Sequence, residues 1–393
     1  LSKRIAILGS TGSIGCNALE VIQHLGASHR AVALGANSNL DKLIEQADAH
    51  RPAALAICDA RHAQRLASAA ERVGARSYVG IAGLCEMVCR DDVDMVLSAI
   101  VGAAGLRPAL AAVRAGKDLA LANKESLVVG GALLIPEARR HGVKILPVDS
   151  EHSAIFQAMQ SGRLEEVRRV ILTASGGPFR EATLEQIESA TPADALRHPT
   201  WQMGNKITID SATMFNKALE LIEACWLFDL PPDKVEVVIH PESVVHSMVE
   251  FVDGSVIAQL SPPDMRTPIQ YALTYPQRRD GISHRLNIGR AFSLRFEPPD
   301  LQRFPALRLA YEAAAARGTA AAVLNAANEV AVEAFLGGRI RFGMISRIVA
   351  LTMTACRATA SAPSLEELLA ADAQARQVAE SLVGGRDVPG ADR

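Results

Sequence analysis

Ile5-Ala6-Ile7-Leu8-Gly9-Ser10-Thr11-Gly12-Ser13-Ile14-Gly15 runs from a short apolar stretch through three glycines into a helical pattern. Ile14, Ala18, Leu19, Val21, Ile22 and Leu25 fall near the spacing of one helix face. In a strand–turn–helix setting, such glycines let backbone approach a pyrophosphate. The helix start adds unpaired N–H groups and a partial positive charge. The spacing is G-x-x-G-x-x-G, unlike the standard dinucleotide fingerprint, so a plain tight turn is the other reading of the glycines taken alone.

Outward from this loop, Ala31 to Leu34, Ala54 to Ile57, Met95 to Ile100 and Leu119 to Ala122 have the composition of further strands. A helical stretch follows each, and Val143 to Val148 closes the series. Strict alternation implies an α/β domain with a parallel sheet covered on both faces, Rossmann-like in outline. The middle of the chain is richer in Ser, Thr, Gly and Pro, with loop-like Thr173 to Pro178 and Arg197 to Gly204. A helix is predicted over about Ala212 to Phe228, with strands over Val235–Ile239, Ser247–Phe251 and Ser255–Leu260. Asp253-Gly254 joins the last two as a hairpin. This part reads as a central α+β domain. Pro276 to Pro305 has little periodicity, and Ala-rich helices then run to about Val383, with a capping box at Ser364-x-x-Glu367. Residues 384–393 read as a loose tail. The expected domains are 1–149, Rossmann-like; 150–280, α+β; 281–305, a linker; and 306–393, a C-terminal helical domain.

Composition narrows the partners. Lys+Arg 41 against Asp+Glu 43 leaves a net charge of −2, with no basic excess to neutralise a nucleic-acid backbone. Aromatic residues, at 4%, also supply few stacking platforms. The six cysteines form no C-x-x-C pair and read as reduced, mostly buried thiols. Met95 to Leu106 is the longest apolar run, short of the ~20 residues of a membrane helix. After Lys3-Arg4, the apolar stretch stops at Gly9, short of the ~7–15 residues of a signal peptide. The expectation is a soluble, cytoplasmic chain.

Asp149-Ser150-Glu151 follows the last strand of the first domain. If the backbone is still extended there, both carboxylates share a face and repel unless a proton or a hard cation sits between them. A surface strand end is the plainer reading. In Asp210 to Glu220, a helix would put Asn216, Lys217 and Glu220 on one face, either as a solvated ion pair or as part of a site. Lys124 is an odd charge in the apolar stretch Leu119 to Val129, so it needs a partner or a surface loop. The second strand ends in Asn37-Ser38-Asn39 without the acid that holds the ribose hydroxyls in NAD sites, which favours NADP.

Several blocks, in order, resemble one family: GSTGSIG at 9–15, ANKES at 122–126, PVDSEH at 147–152, SGGPFRE at 175–181, HPTWQMG at 198–204 and DSATMFNKALELIEA at 210–224. HPESVVHSMVEF at 240–251 and NAANEVAVEAFL at 325–336 continue the set. The chain is identified by these as similar to 1-deoxy-D-xylulose 5-phosphate reductoisomerase. The resemblance implies an NADPH-linked rearrangement and reduction of 1-deoxy-D-xylulose 5-phosphate to 2-C-methyl-D-erythritol 4-phosphate, in the non-mevalonate route to isoprenoid precursors. It also implies one divalent metal (Mg²⁺, Mn²⁺ or Co²⁺) and a homodimer.

By the same resemblance, Asp149, Glu151 and Glu220 are metal ligands and catalytic with Lys124. Lys124 and Ser150 meet the substrate's hydroxyl end. Ser175, His198, Ser211, Asn216 and Lys217 form its phosphate pocket. Thr11, Gly12, Ser13, Ile14, Asn123, Glu125 and Gly204 contact the cofactor, and Trp201 and Met203 sit in a flap. Many relatives carry Lys or Arg where this chain has Ser38, so Asn37, Ser38 and Asn39 are expected to hold the 2′-phosphate by hydrogen bonds. Two rivals stand beside this reading. One is a metal-independent Rossmann-type reductase of a phosphorylated or semialdehyde substrate. The other is a dinucleotide-sensing regulator, which would need no carboxylates.

Overall fold

The computed structural model describes residues 2–201, 203–289, 292–359 and 362–385. The chain forms two compact units, and neither is one continuous stretch. Leu1–Ser126, Leu134–Ser153 and Asp264–His284 make the first; Leu127–Leu133, Ala154–Pro263 and Arg285–Arg393 make the second. The sequence-based boundaries cut the chain into consecutive blocks, and the structure differs. Helix Arg266–Thr274 packs on the first unit, where the Leu273 carbonyl accepts bonds from Lys3 Nζ at 3.1 Å and His29 Nε2 at 3.2 Å.

The first unit alternates β1 (Lys3–Leu8), α1 (Ser13–Leu25), β2 (His29–Ala36), α2 (Leu40–His50), β3 (Ala54–Ile57), α3 (Ala63–Val73), β4 (Arg76–Val79) and α4 (Gly80–Val88). It continues with β5 (Met95–Ser98), α5 (Leu106–Arg114), β6 (Asp118–Leu121), α6 (Lys124–His141) and β7 (Ile145–Pro147). Among the described residues these strands form one seven-stranded sheet in the order β4-β3-β2-β1-β5-β6-β7, with every pairing parallel. Strands covered on both faces are continuously apolar rather than alternating. Ile5 to Leu8 and Ala54 to Ile57 accordingly have no exposed surface. Strand β4 was not expected, because Arg76-Ser77-Tyr78-Val79 sits at the sheet edge and lacks the apolar run of a central strand.

Strand order reverses between β1 and β5, and in open α/β sheets the crevice at such a reversal is where ligands bind. Gly9 lies there with φ +82°, and a Cβ on it would stand 2.5 Å from the Ala99 carbonyl oxygen beyond β5. Gly15 lets α1 start tight against the loop, since a Cβ there would be 2.4 Å from the Gly9 oxygen. The glycines therefore have two separate steric reasons.

In the second unit, the sheet among the described residues runs β11-β10-β8-β9, from β8 (Val167–Ala174), β9 (Val235–Ile239), β10 (Val245–Phe251) and β11 (Val256–Leu260). The β10–β11 hairpin turns at Asp253-Gly254 as expected. Strand β8 extends into what the sequence presented as loop, ending at Ala174 just before Ser175. The expected helix from Ala212 to Phe228 is instead two, Asn205–Thr213 and Phe215–Leu227, broken where Met214 takes φ +64°. Helices Ala306–Ala316, Ala320–Leu336, Met344–Ala355 and Leu365–Val383 follow. Phe342 meets Phe179 and Phe335 edge-on in their core. The capping box forms, with Glu367 N–H donating to Ser364 Oγ and Ser364 N–H to Glu367 Oε2. Residues 386–393 of the expected tail lie outside the described ones.

The cysteines are free but mostly not buried: Cys356 is buried, Cys89 exposed and the others half-buried. Among the described residues no helix is long and apolar enough to cross a membrane.

Because the atoms facing Gly15 are backbone and cannot swing aside, Gly15→Ala should cost about 1–3 kcal/mol, the usual range for overpacking. A lowered unfolding midpoint in thermal denaturation checks this; a midpoint equal to that of the parent chain would refute the packing role.

Candidate active site

The glycine loop after β1 is open to solvent at its tip. Gly12 precedes α1 in extended conformation without a side-chain cap, and Gly12 and Ser13 are exposed while Thr11 and Ile14 are half-buried. The first N–H groups of α1 thus have no side-chain acceptor at the cap and face the crevice side of the sheet. Asn37, Ser38 and Asn39 leave the end of β2 exposed. Asn39 is already engaged, because its Oδ1 accepts the Lys42 N–H at 3.2 Å and caps α2. A cation that sequence spacing did not bring to this place is Arg61. The turn carrying it hangs from β3, where Asp59 N–H donates to the Asn37 carbonyl at 2.9 Å.

At the opposite side of the same sheet, β6 ends in a buried polar run: Asn123, Lys124, Glu125 and Ser126. Asn123 Nδ2 donates to Glu125 Oε2 at 2.6 Å and to the Gly102 carbonyl at 3.2 Å, and its Oδ1 accepts from Ser126. Gly105 makes room for that amide, since a Cβ would stand 2.4 Å from Asn123 Oδ1. Lys124 has the partner its setting demands, an ion pair with Asp149 at 2.7 Å. The extended face expected for Asp149 and Glu151 is absent: helix α7 (Ser150–Ala158) begins directly after Asp149, whose carbonyl accepts the Ser153 N–H. The helix geometry replaces the two-residue strand period, so the acids sit at a helix start, a favourable place for negative charge. Ser150 Oγ donates to Glu151 Oε2 at 2.5 Å.

The second unit assembles the remaining residues around two adjacent features. Ser175 follows β8, and Gly176 and Gly177 take φ +83° and +66°. Gly177 presses on the helix carrying Ser211, where a Cβ would lie 2.7 Å from the Ser211 oxygen. His198 Nδ1 accepts N–H bonds from Thr200 at 3.2 Å and Trp201 at 2.9 Å. The ring proton is therefore on Nε2, which donates to Ser175 Oγ at 3.0 Å. Gly177 N–H donates to the same oxygen at 3.2 Å. With its lone pairs taken, the Ser175 hydroxyl keeps its own proton for an outside acceptor. Trp201 and Met203 are half-buried, and Gly204 caps helix Asn205–Thr213. Inside that helix, buried Asp210 receives bonds from Lys206 at 2.5 Å and Asn328 at 2.8 Å, which anchors the backbone beside Ser211.

One turn beyond Met214, Asn216 Nδ2 donates to Glu220 Oε1 at 2.6 Å and Lys217 Nζ donates to Glu220 Oε2. The shared helix face expected from the spacing is formed. It is not solvated, since Glu220 has no exposed surface and Lys217 only 3%.

The chain matches the 1-deoxy-D-xylulose 5-phosphate reductoisomerase family over residues 5–131, and the C-terminal domains described for that enzyme over 145–228 and 260–378. It is 53% identical to the reductoisomerase of Heliobacterium modesticaldum, over 98% of this chain and 99% of that one. It is 52% identical to the enzyme of Pseudomonas syringae over 96% and 97%. Among solved structures, a DOX-P reductoisomerase in complex with NADPH, fosmidomycin and magnesium superposes with a TM-score of 0.92 at 42% identity, covering 97% of this chain and 98% of that one. The Zymomonas mobilis enzyme with NADPH gives 0.91 at 44%, covering 98% and 99%.

Burial holds the His198 pKa below its ordinary 6.5. The ring gains its second proton less readily when folded, so its contribution is complete above about 6.5 and fades as pH falls below that value. Nitrogen-15 spectra should show the Nε2–H tautomer at neutral pH and a titration midpoint under 6.5; a midpoint at or above it would contradict the double acceptor role of Nδ1.

Proposed function

The chain belongs to the 1-deoxy-D-xylulose 5-phosphate reductoisomerase family, and on that premise we propose that Asp149, Glu151 and Glu220 jointly hold the divalent cation the reaction requires. The reaction is the NADPH-dependent conversion of 1-deoxy-D-xylulose 5-phosphate to 2-C-methyl-D-erythritol 4-phosphate. The observation that carries the assignment is Glu220: an acid withdrawn from water, matched on its own helix by Lys217 and Asn216. Asp149 has the corresponding partner in Lys124. Three carboxylates are a fitting donor set for a hard cation such as Mg²⁺ or Mn²⁺. When bound, the cation polarises the substrate carbonyl and acidifies the neighbouring hydroxyl. The nicotinamide supplies the hydride.

The chain's own residues do the rest. Lys124 balances Asp149 and presents an ammonium to the substrate's hydroxyl end, with Ser150 beside it. Ser175 Oγ–H donates a hydrogen bond to the phosphate, and His198 and Gly177 N–H fix that orientation by donating to the same oxygen. Ser211, Asn216 and Lys217 complete the phosphate pocket, where a lysine acts as a point charge. Thr11, Gly12, Ser13, Ile14, Asn37, Ser38, Asn39, Asn123, Glu125 and Gly204 serve the cofactor. The 1–149 segment would then be the NADPH-binding part, and 150–280 the catalytic part.

We further propose a cytoplasmic homodimer. Strand β11 is a sheet edge with Val256, Ile257 and Leu260 exposed, and Val252 is exposed just before it. An apolar edge is a template for pairing with a second copy.

NADPH oxidation with 1-deoxy-D-xylulose 5-phosphate should stop in EDTA and return with Mn²⁺ or Mg²⁺; full activity in chelator would favour the metal-independent reductase. Glu220→Gln should lower kcat on the order of 10³-fold, the loss of several kcal/mol of charge stabilisation, with NADPH affinity unchanged. Normal turnover would remove Glu220 from the metal site. In sedimentation, a Val256→Lys/Ile257→Lys chain should run as a monomer, and a dimer unaffected by both changes would rule out pairing through β11.

A further inference from the structure

The end of β2 poses an electrostatic problem. A 2′-phosphate dianion placed beside Asn37, Ser38 and Asn39 would find only neutral side chains, which can donate hydrogen bonds but carry no charge to balance it. NADP sites ordinarily place an arginine within reach. The sheet brings one there from the neighbouring strand. β2 and β3 are paired in register up to Ala36 and Ile57, and the ladder continues past both ends, with Cys58 N–H donating to Ala36 and Asp59 N–H to Asn37. The turn that follows, Ala60–His62, carries Arg61 as its second residue, two positions after Asp59.

Arg61 is held rather than loose at its base. Its Nε donates to both Asp59 oxygens, at 3.0 and 3.1 Å, and Nη2 donates to Oδ2 at 2.7 Å. Asp59 is fixed in turn, because Oδ1 accepts the Arg61 N–H at 3.0 Å. This side-on clamp leaves the Nη1 amino group and one Nη2 hydrogen available, on a side chain that is 86% exposed while Asp59 is 15% exposed. Of the other basic groups nearby, His62 stands 3.9 Å from the same Asp59 carboxylate, and Arg65 of α3 is turned onto Asp41 of α2.

We infer that Arg61, oriented by Asp59, is the cation that recognises the 2′-phosphate of NADPH in this chain and sets its preference over NADH. A guanidinium is suited to this because its planar fork can bind the carboxylate on one edge and phosphate oxygens on the other. The arrangement makes up for the small, neutral Ser38. The Arg61 guanidinium keeps the Asp59 carboxyl down at about 2, so the clamp stays charged at any working pH. This inference rests on the NADPH reading above.

Dissociation constants for NADPH and NADH, measured by nicotinamide fluorescence without substrate or metal, test it. Arg61→Ala should weaken NADPH roughly tenfold or more, as expected for a lost charge-assisted bond, and leave NADH within about twofold. Arg61→Lys should fall between, and Asp59→Asn should weaken NADPH by loosening the clamp. Equal NADPH affinity in the parent and Arg61→Ala chains would overturn the inference while the cofactor reading stands. An equal loss for both dinucleotides would also overturn it. A parent chain that binds NADPH no better than NADH would sink the NADPH reading itself, and the inference with it.

Discussion

A carboxylate taken out of water must be given a counter-charge, and much of the site's chemistry rests on how this chain meets that demand. Glu220 is paired with Lys217 on one helix, and Asp149 with Lys124 across the ends of neighbouring strands. Removing either partner of such a pair strands a charge, at a cost of about 3–5 kcal/mol when it is buried. On the proposed assignment, a metal ion would take the place of an ammonium at each acid. The lysines are also the groups proposed for the substrate, so each ion pair joins one proposed metal ligand to one proposed substrate contact.

The folds around these pairs explain why the residues are where they are. In the first unit the candidate residues follow strand ends: the glycine loop after β1, the buried Asn123–Ser126 run after β6, and Asp149 after β7. In the second, β8 ends at the Ser175 turn, and its glycines bear on the helix of Ser211. The left-handed residue Met214 then resets the chain so that Phe215–Leu227 can present Asn216, Lys217 and Glu220 along one face. Helices and strands position the backbone, and short hydrogen bonds finish the placement.

How much of this was legible in the sequence follows from which signals are local. The central strands β1, β3, β5 and β6 were readable because burial on both faces leaves unbroken apolar runs. The Asp253-Gly254 hairpin and the Ser364 capping box were readable because turn and cap chemistry is written in adjacent residues. Edge strand β4 was not, because its residues are only partly buried. The Met214 break was hidden because methionine is a good helix former and the helical spacing continues beyond it, so nothing local signals a positive φ. Helix α7 was missed because Asp149-Ser150-Glu151 suits a helix start as well as a strand end. The motif resemblance supplied proposed roles for residues that spacing left ambiguous. Arg61 escaped both routes: only strand pairing carries it to the end of β2, and no local pattern announces that.

The central claim is that three acids from separate parts of the chain share one cation. Anomalous diffraction from a manganese-soaked crystal tests it directly. The account predicts a single strong peak within bonding distance of oxygens from Asp149, Glu151 and Glu220, with Lys124 and Lys217 displaced from them. Crystals in which the lysines keep both acids and manganese appears elsewhere, or nowhere, would contradict it.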